Sequence, residues 1–325
     1  MPEKTMAIER AKAAADPSKS RPVMLAVAGD SAAGKTTMTA GLVRTLGSDR
    51  VTSVCVDDYH RYDREERKSL PFTPLHPDCN YIDIMEQHLQ LLSTGRSILK
   101  PVYDHKTGTF GRPVLIEPRE FIIIEGLLPL HTELARECFD ITVYLDPDDD
   151  LRREWKIRRD SKKRGYTPEQ VLAELENRES DAASFIRPQR AHADIVVRFA
   201  PVEGGPEGEH LSATILLRPT IPHPDLSQIL TDDAREALHM KLARDSDGKP
   251  VDALHVHGHA SRERSQDVER HIWESLGVPH PLPEQLGVIN GDARSEPLAI
   301  TELILLFHML QSRRRVRSGE PAGVP

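Results

Sequence analysis

A phosphate-binding loop near the start of the chain constrains the fold more than any other feature of the sequence. Residues 29–36 read Gly-Asp-Ser-Ala-Ala-Gly-Lys-Thr and match the pattern G-x-x-x-x-G-K-S/T in full. The apolar stretch 22–28 before the loop predicts a buried strand, and 35–46 after it has apolar residues at helical spacing. Strand, glycine-containing loop and helix in this order predict an α/β fold with an anion-binding site at the loop.

The chemistry of this loop suits a triphosphate. Its glycines let several backbone N–H groups point at one anion, and the following helix adds the positive end of its dipole. The Lys35 side chain is long enough to reach the β- and γ-phosphates, and the Thr36 hydroxyl can ligate Mg²⁺. We therefore expect ATP and Mg²⁺ to bind here. The expected nucleotide-binding residues are Gly29, Asp30, Ser31, Ala32, Ala33, Gly34, Lys35, Thr36 and Thr37.

Strand and helix patterns alternate between the phosphate loop and residue 200. Continuous apolar runs such as 121–124 and 141–145 predict strands buried on both faces, so the alternation predicts a doubly wound, mostly parallel sheet. A Gly/Pro-rich segment then precedes three more strand patterns and two helical ones, which predict a smaller antiparallel α+β extension. The expected divisions are a mobile lead-in (1–21), a nucleotide-binding domain (22–200), the extension (211–312) and a frayed tail (313–325).

Composition narrows the classes of function. A net charge of −8 argues against a general nucleic-acid binder, which normally carries a basic surface. No stretch approaches the ~18 consecutive apolar residues that span a bilayer, and the N-terminal segment lacks the apolar run of a secretory signal. Three cysteines without C-x-x-C spacing fit a reducing compartment. We expect a cytoplasmic protein that binds neither nucleic acid nor a membrane.

Acidic residues follow several predicted strands, at the edge of the sheet where ligands of open α/β folds bind. Glu125 follows an apolar strand, which is the position of an acid that holds Mg²⁺ directly or through water. Asp57 heads a charged loop, where its carboxylate could take a proton from a substrate hydroxyl while nearby arginines hold an anionic group. Asp58 is expected to point elsewhere, because side chains in an extended segment alternate. From the residues alone, a solvated charged loop fits this segment equally well.

A charged helical segment could also contribute to the site. Lys156, Asp160 and Arg164 are four residues apart and share a face if the helix continues. A cationic face near a phosphoryl group can act as a lid that supplies charge to the transition state. Taken alone, the pattern is equally typical of a salt-bridged, solvent-exposed helix face.

Three histidines alternate near the C-terminal end of the last strand pattern, at His255, His257 and His259. On a strand they would lie on one side, a spacing compatible with metal binding. No carboxylate or cysteine nearby completes a ligand set, so packing or a subunit contact is favoured over a metal.

Taken in order, several segments resemble the phosphoribulokinase family of P-loop kinases. They are the phosphate loop, Asp57-Asp58-Tyr59-His60 with Arg64 and Arg67, Lys100 to Gly108, Ile124 to Leu127, and Trp155 to Gly165. The match runs from about Val23 to Phe199, and 238–307 more loosely resembles the C-terminal part of the longer cyanobacterial, plant and archaeal form. The phosphate loop is shared with uridine kinase and pantothenate kinase, whereas the other segments are much more specific.

This resemblance implies a P-loop kinase fold and transfer of the γ-phosphoryl group of ATP to O1 of D-ribulose 5-phosphate. It implies that Asp57 is the catalytic base and that Glu125, with Thr36, holds the metal ion. The implied residues of the catalytic helix are Lys156, Arg159 and Asp160. The implied contacts of the sugar phosphate are His60, Arg64, Arg67, Tyr103, His105 and Arg164.

The chain departs from the plant-type pattern at the phosphate loop. Ala33 stands where those enzymes have a cysteine that pairs with the counterpart of Cys55, so redox switching through that pair is not expected. Two alternatives stay open: a related kinase acting on uridine or another sugar phosphate, and a nucleotide-binding regulator without turnover. Arginines at a second anion site would favour a phosphorylated substrate. An edge strand in the extension could pair two subunits, so a homodimer is expected.

Overall fold

The computed structural model arranges the chain around one mixed, eight-stranded sheet. The residues that it describes are 20–202, 211–227, 229–230, 237–278, 280–289 and 293–318, without the side chain of Lys163. Most of the predicted lead-in, most of the Gly/Pro-rich linker and residues 319–325 therefore lie outside the described part of the chain.

The strands fall into the main sheet and three two-stranded ribbons. In chain order they are β1 (Val23–Gly29), β2 (Val51–Cys55), β3 (Ile98–Lys100), β4 (Tyr103–Asp104), β5 (Thr109–Phe110), β6 (Val114–Ile116), β7 (Phe121–Gly126), β8 (Ile141–Leu145), β9 (Ile195–Pro201), β10 (Leu211–Leu217), β11 (Leu238–Arg244), β12 (Pro250–Val256), β13 (Val288–Ile289) and β14 (Ala293–Arg294).

The α-helices range from single turns to a long C-terminal helix. They are α1 (Lys35–Leu46), α2 (Arg64–Arg67), α3 (Ile82–Ser93), α4 (Glu133–Arg136), α5 (Asp149–Arg164), α6 (Pro168–Asp181), α7 (Arg262–Ser275) and α8 (Glu296–Ser318). Helix α6 begins at a capping box, in which the Thr167 hydroxyl accepts from the Gln170 N–H and the Gln170 side chain accepts from the Thr167 N–H.

The main sheet has the strand order β11-β12-β10-β9-β8-β1-β7-β2. Strands β9, β8, β1, β7 and β2 are parallel, as the alternation of strands and helices predicts. Side chains from the two faces of β1 enter different cores: Leu25 and Val27 pack with residues of α1 and α8, whereas Met24 packs with residues of α3. Both faces are therefore covered, which explains why the central strands read as continuous apolar runs.

The extension is part of the main sheet rather than a small sheet of its own. Strand β10 pairs antiparallel with β9, β12 pairs with β10, and β11 pairs with β12. The three strands are antiparallel, as predicted, but they continue the edge of the nucleotide-binding domain. The physical reason is that β9 would otherwise present an unpaired row of N–H and C=O groups, which β10 satisfies.

The C-terminal helix α8 extends further than the sequence predicts. The pattern predicts a frayed tail from residue 313, but α8 continues to Ser318. Arg313 forms an ion pair with Glu120 at 2.9 Å and donates to the Ser20 hydroxyl at 2.7 Å. Because these acceptors lie on distant parts of the chain, local composition gives no sign of them.

Helix α8 also carries a buried carboxyl group against the helix that follows the phosphate loop. The Glu302 side chain accepts a hydrogen bond from the Gly287 N–H at 2.8 Å. A Cβ atom added to Gly41 would lie 1.8 Å from its Oε1, so only glycine allows this approach of α8 to α1. Burial raises the pKa of Glu302 to about 7, which Arg44 and Arg294 oppose and Glu269 reinforces.

We expect Glu302→Gln to remove a pH-dependent loss of stability. The folded state holds the Glu302 proton up to about pH 7, whereas the unfolded state releases it near 4.5, so the free energy of unfolding falls as pH rises through this window. The pKa difference between the folded and unfolded states corresponds to a decrease of about 3 kcal/mol in the free energy of unfolding. Urea unfolding at acid and alkaline pH measures it, with the exposed Glu263→Gln as a matched control. The same pH dependence in wild type and Glu302→Gln would contradict this.

Candidate active site

The phosphate loop connects β1 to α1 and is closed around its own lysine. Gly34, with φ of 95°, precedes the first residue of α1. Ala32 also has a left-handed backbone conformation, with φ of 66°. This conformation costs a non-glycine residue about 1–2 kcal/mol. The Lys35 ammonium donates to the carbonyl oxygens of Gly29 and Asp30, both at 2.9 Å. The predicted loop residues thus form one continuous turn with a buried cation at its centre.

Two oxygen donors meet beside the loop. The Thr36 hydroxyl lies 3.2 and 3.3 Å from the two carboxylate oxygens of Glu125. Glu125 lies at the end of β7, opposite Val27 of β1, and is 8% exposed. Burial raises its pKa, an effect that the Lys35 charge opposes. A threonine hydroxyl and a carboxylate are the hard oxygen ligands that Mg²⁺ prefers, so both predicted metal residues fit that ion.

Asp57 is held over the carboxyl end of β7. It lies in a single helical turn, Val56–Asp58, that follows β2. Its Oδ1 accepts a hydrogen bond from the Leu127 N–H at 2.8 Å. A Cβ atom on Gly126 would lie 2.8 Å from the same oxygen, so the glycine makes room for the carboxylate. This orients the predicted base at the edge of the sheet that also carries Glu125 and the phosphate loop.

Asp58 has different partners from Asp57, as predicted, but the reason is not alternation along an extended segment, because both residues lie in the helical turn Val56–Asp58. It forms an ion pair with the buried Lys100, and its Oδ1 accepts from the Tyr103 N–H at 3.2 Å. Asp58 therefore connects the end of β2 to the β4–β5 hairpin. Lys100, which the sequence reasoning missed as part of the site, is the residue that neutralises it.

The β4–β5 hairpin brings two predicted substrate contacts to the site. The Arg67 guanidinium donates to the Tyr103 hydroxyl at 2.5 Å and lies 5.0 Å from the ring centroid. The His60 ring packs edge-on against Tyr103, with centroids 4.7 Å apart, and His105 lies next to both. Arg64, a further predicted substrate contact, donates to the His105 carbonyl oxygen at 2.6 Å and so also braces the hairpin backbone.

Helix α5 presents its predicted cations around one buried carboxylate. Asp160 is fully buried and lies 3.0 Å from the Lys156 ammonium, 2.8 Å from Arg159 and 3.5 Å from Arg164. Burial would raise the pKa of Asp160, but Arg159 and Lys156 lower it to about 2. Arg159 also donates to the Ser31 hydroxyl of the phosphate loop at 3.2 Å. Asp160 thus positions cations from α5 beside the loop.

Arg178 of α6 joins this region, although the sequence reasoning did not select it. It forms an ion pair with Glu174 one turn earlier. Burial lowers its pKa, and the charges of Arg164 and Arg67 act in the same direction. Glu174 also lies 4.0 Å from the Lys156 ammonium, which connects Arg178 to the ion pairs around Asp160. The only local signal was the helical spacing of Glu174 and Arg178, which is common on solvent-exposed helices.

The alternating histidines pack beside a fourth histidine, His239. His239 of β11 lies opposite His255 of β12, and its Nδ1 is 3.0 Å from the His257 Nε2. His259 packs next to His257, with ring centroids 5.1 Å apart. Within the described ranges, no group of three or more His, Cys, Asp or Glu side chains is arranged to hold a metal ion. His255 lies on β12, whereas His257 and His259 follow it, and the rings pack against one another in sequence order.

Comparisons with known proteins place the chain in a family. The model of the phosphoribulokinase/uridine kinase family matches residues 24–204, more than half of the chain. A phosphoribulokinase from Synechocystis is 41% identical over 181 residues, which are 56% of this chain and 54% of that protein. A uridine kinase from Oceanobacillus iheyensis is 34% identical over 187 residues, covering 55% of this chain and 87% of that protein. The chain therefore belongs to the phosphoribulokinase/uridine kinase family and spans about half the length of the Synechocystis relative.

A solved structure supports the fold. A phosphoribulokinase from Rhodobacter spheroides superimposes with a TM-score of 0.56 at 18% identity, covering 79% of this chain and 97% of that one. This confirms the predicted P-loop kinase architecture. None of the helices in the described ranges combines the length and hydropathy that crossing a bilayer requires.

Proposed function

We propose that this member of the phosphoribulokinase/uridine kinase family transfers the γ-phosphoryl group of ATP to O1 of D-ribulose 5-phosphate. The observation that carries the proposal is a second cationic region, separate from the phosphate loop. Arg164 and Arg178 are linked through a chain of ion pairs, Arg164–Asp160–Lys156–Glu174–Arg178, and the charge of Arg67 acts on Arg178 from a third helix. A phosphorylated acceptor requires such a region, whereas uridine has no anionic group for it to bind.

Each step of the proposed transfer is assigned to a residue of the site. Lys35 and the N–H groups of residues 29–37 bind the β- and γ-phosphates. Asp57 accepts the proton of the attacking hydroxyl, while Lys156 and Arg159 supply positive charge beside the loop. His60, Tyr103 and His105 line the acceptor side with the second cationic region, and Arg64 braces the hairpin that carries two of them.

Mg²⁺ is proposed as the accompanying ion. Thr36 and Glu125 would hold it, and its charge would offset that of the triphosphate. Turnover should therefore stop on chelation and return when Mg²⁺ is restored. Turnover that persists without any divalent cation would contradict this assignment.

The acceptor site is tested by Arg67→Ala. Loss of one charge-assisted contact, about 1.5–3 kcal/mol, should raise KM for ribulose 5-phosphate by roughly 10–100-fold and leave KM for ATP nearly unchanged. Steady-state kinetics with each substrate varied in turn measures the split. The exposed Arg158→Ala on α5 is the matched control, because it removes a guanidinium that pairs with the exposed Glu154. An equal effect of Arg67→Ala on both KM values would count against the proposed site.

We also propose a cytoplasmic homodimer. Cys55, Cys79 and Cys138 are all unpaired, which suits a reducing compartment. Strand β11 is an edge of the main sheet, and its residue Leu242 is 77% exposed. An exposed apolar residue on an edge strand supports pairing with a second copy of the chain. Light scattering during size-exclusion chromatography should give twice the chain mass, and a mass equal to one chain would contradict the dimer.

A further inference from the structure

His60 and Asn80 are held side by side by the backbone. An isolated antiparallel bridge joins the two residues. The Arg61 N–H donates to the Cys79 carbonyl oxygen, and the Tyr81 N–H donates to the Tyr59 carbonyl oxygen, each at 2.8 Å. Both side chains are nearly buried, with His60 4% and Asn80 6% exposed. The imidazole and the amide therefore face each other in a fixed orientation.

The contacts of Asn80 decide which of its amide atoms faces the histidine. Its Nδ2 donates to the carbonyl oxygens of Pro74 at 3.1 Å and His76 at 2.9 Å. Because carbonyl oxygens only accept, the reverse orientation of the amide would place oxygen against oxygen. The Asn80 Oδ1 therefore lies 2.8 Å from the His60 Nδ1, and this nitrogen must carry a proton to donate.

The other ring nitrogen, the His60 Nε2, has no hydrogen-bond partner among the described residues. It is also not among the unpartnered side-chain atoms that are shielded from solvent, so solvent reaches it. The ring lies beside Tyr103 and lines the same small cavity as Asp57 and Leu127. A ligand group that reaches the accessible Nε2 can bond to it.

We infer that Asn80 is a positioning residue that holds His60 in the Nδ1–H tautomer, so that the bare Nε2 accepts a hydrogen bond from a hydroxyl group of the sugar phosphate. The identity of that hydroxyl compound rests on the proposed function. The tautomer does not, because it follows from contacts within the protein.

Burial, together with the charge of Arg67, favours the neutral form of the His60 ring. Burial and the Arg67 charge lower its pKa to about 4, and His105 acts in the same direction. The Asp57 charge and the bond to Asn80 oppose them without cancelling the shift. A neutral imidazole whose Nδ1 donates to an amide presents a lone pair at Nε2. His60 therefore suits a hydroxyl group, while the arginines remain for the phosphate.

The tautomer can be observed directly in the ligand-free protein. Long-range ¹H–¹⁵N correlation of protein labelled at histidine should show, near neutral pH, a protonated Nδ1 and an unprotonated Nε2 for His60. Loss of these signals in His60→Gln assigns them. An Nε2–H tautomer, or an imidazolium ring, would overturn the inference whatever the substrate is.

The role of Asn80 is tested by Asn80→Asp. One carboxylate oxygen at this position would accept from Nδ1 and stabilise the imidazolium, so the pKa of His60 should rise and Nε2 should become a donor. The other oxygen would face the Pro74 and His76 carbonyl oxygens, so thermal unfolding of Asn80→Asp is compared with wild type to confirm that the variant is folded. Near neutral pH, we expect KM for ribulose 5-phosphate to rise about three- to tenfold and to recover as pH increases, with KM for ATP unchanged. The exposed Asn177→Asp on α6 makes the same chemical change and should leave both constants unaltered.

Two results separate this inference from the proposed function. A KM increase in Asn80→Asp that does not vary with pH would indicate a merely structural residue and overturn the inference. Absence of turnover with ribulose 5-phosphate in the wild-type protein would overturn the proposed function, whereas the tautomer measurement would still decide the role of Asn80.

Discussion

Asp57→Asn is expected to lower kcat by about 10²–10⁴-fold, the usual contribution of a positioned proton acceptor. The amide oxygen can still accept from the Leu127 N–H, which Asp57 Oδ1 does at 2.8 Å, so the substitution should preserve the local structure. Because the lost interaction belongs to the transition state, the KM values for both substrates should change little. Steady-state kinetics at saturating ATP measures the effect.

The neighbouring carboxylates provide the contrast for this result. Asp58→Asn weakens the contact with Lys100, and Asp160→Asn removes the charge that gathers the α5 cations. Both substitutions should act mainly by displacing neighbouring side chains of the site. The loss of kcat should be smaller for Asp58→Asn than for Asp57→Asn. If Asp57→Asn retains most of its kcat while either of the others abolishes turnover, the base has been misassigned.

Lys35→Met should lower kcat/KM for ATP by about 10²–10³-fold, in the range measured when one preorganised donor to a developing negative charge is removed. The ammonium is already buried at the centre of the phosphate loop, bonded only to carbonyl oxygens that a phosphate group can replace. Methionine keeps the length of the side chain but not its charge. Lys249→Met, at a 71% exposed side chain far along the sequence, serves as the control. Near-normal turnover in Lys35→Met would contradict the nucleotide site.

Local patterns were sufficient to predict the nucleotide-binding half of the molecule. The phosphate loop, the apolar β7 and the acid at its end are each encoded within a few residues, and the structure brings them together at one edge of the sheet. Such features depend on neighbours in sequence, so a single chain reveals them. The prediction that Asp58 points elsewhere than Asp57 used the alternation rule for extended segments, whereas the two residues lie in a helical turn that this rule does not describe.

Features that depend on distant contacts could not be predicted in this way. The antiparallel addition of β10 to β9 depends on the free edge of β9, and alternation within β10 does not name its partner. Asn80 acts on His60 across twenty residues of sequence, through an amide whose role depends on two carbonyl groups. Arg178 belongs to the site only because α6 folds back beside α5.

The central claim is that the acceptor is ribulose 5-phosphate and that phosphorylation occurs at O1. The most direct test supplies the protein with ATP, Mg²⁺ and, in parallel, D-ribulose 5-phosphate, D-ribose 5-phosphate and uridine, and identifies each product by ³¹P NMR. We predict that kcat/KM for ribulose 5-phosphate exceeds the other two by at least about 10²-fold, with a product carrying phosphate at both C1 and C5. Preferential phosphorylation of uridine, or ATP hydrolysis that is the same with and without acceptor, would contradict the account.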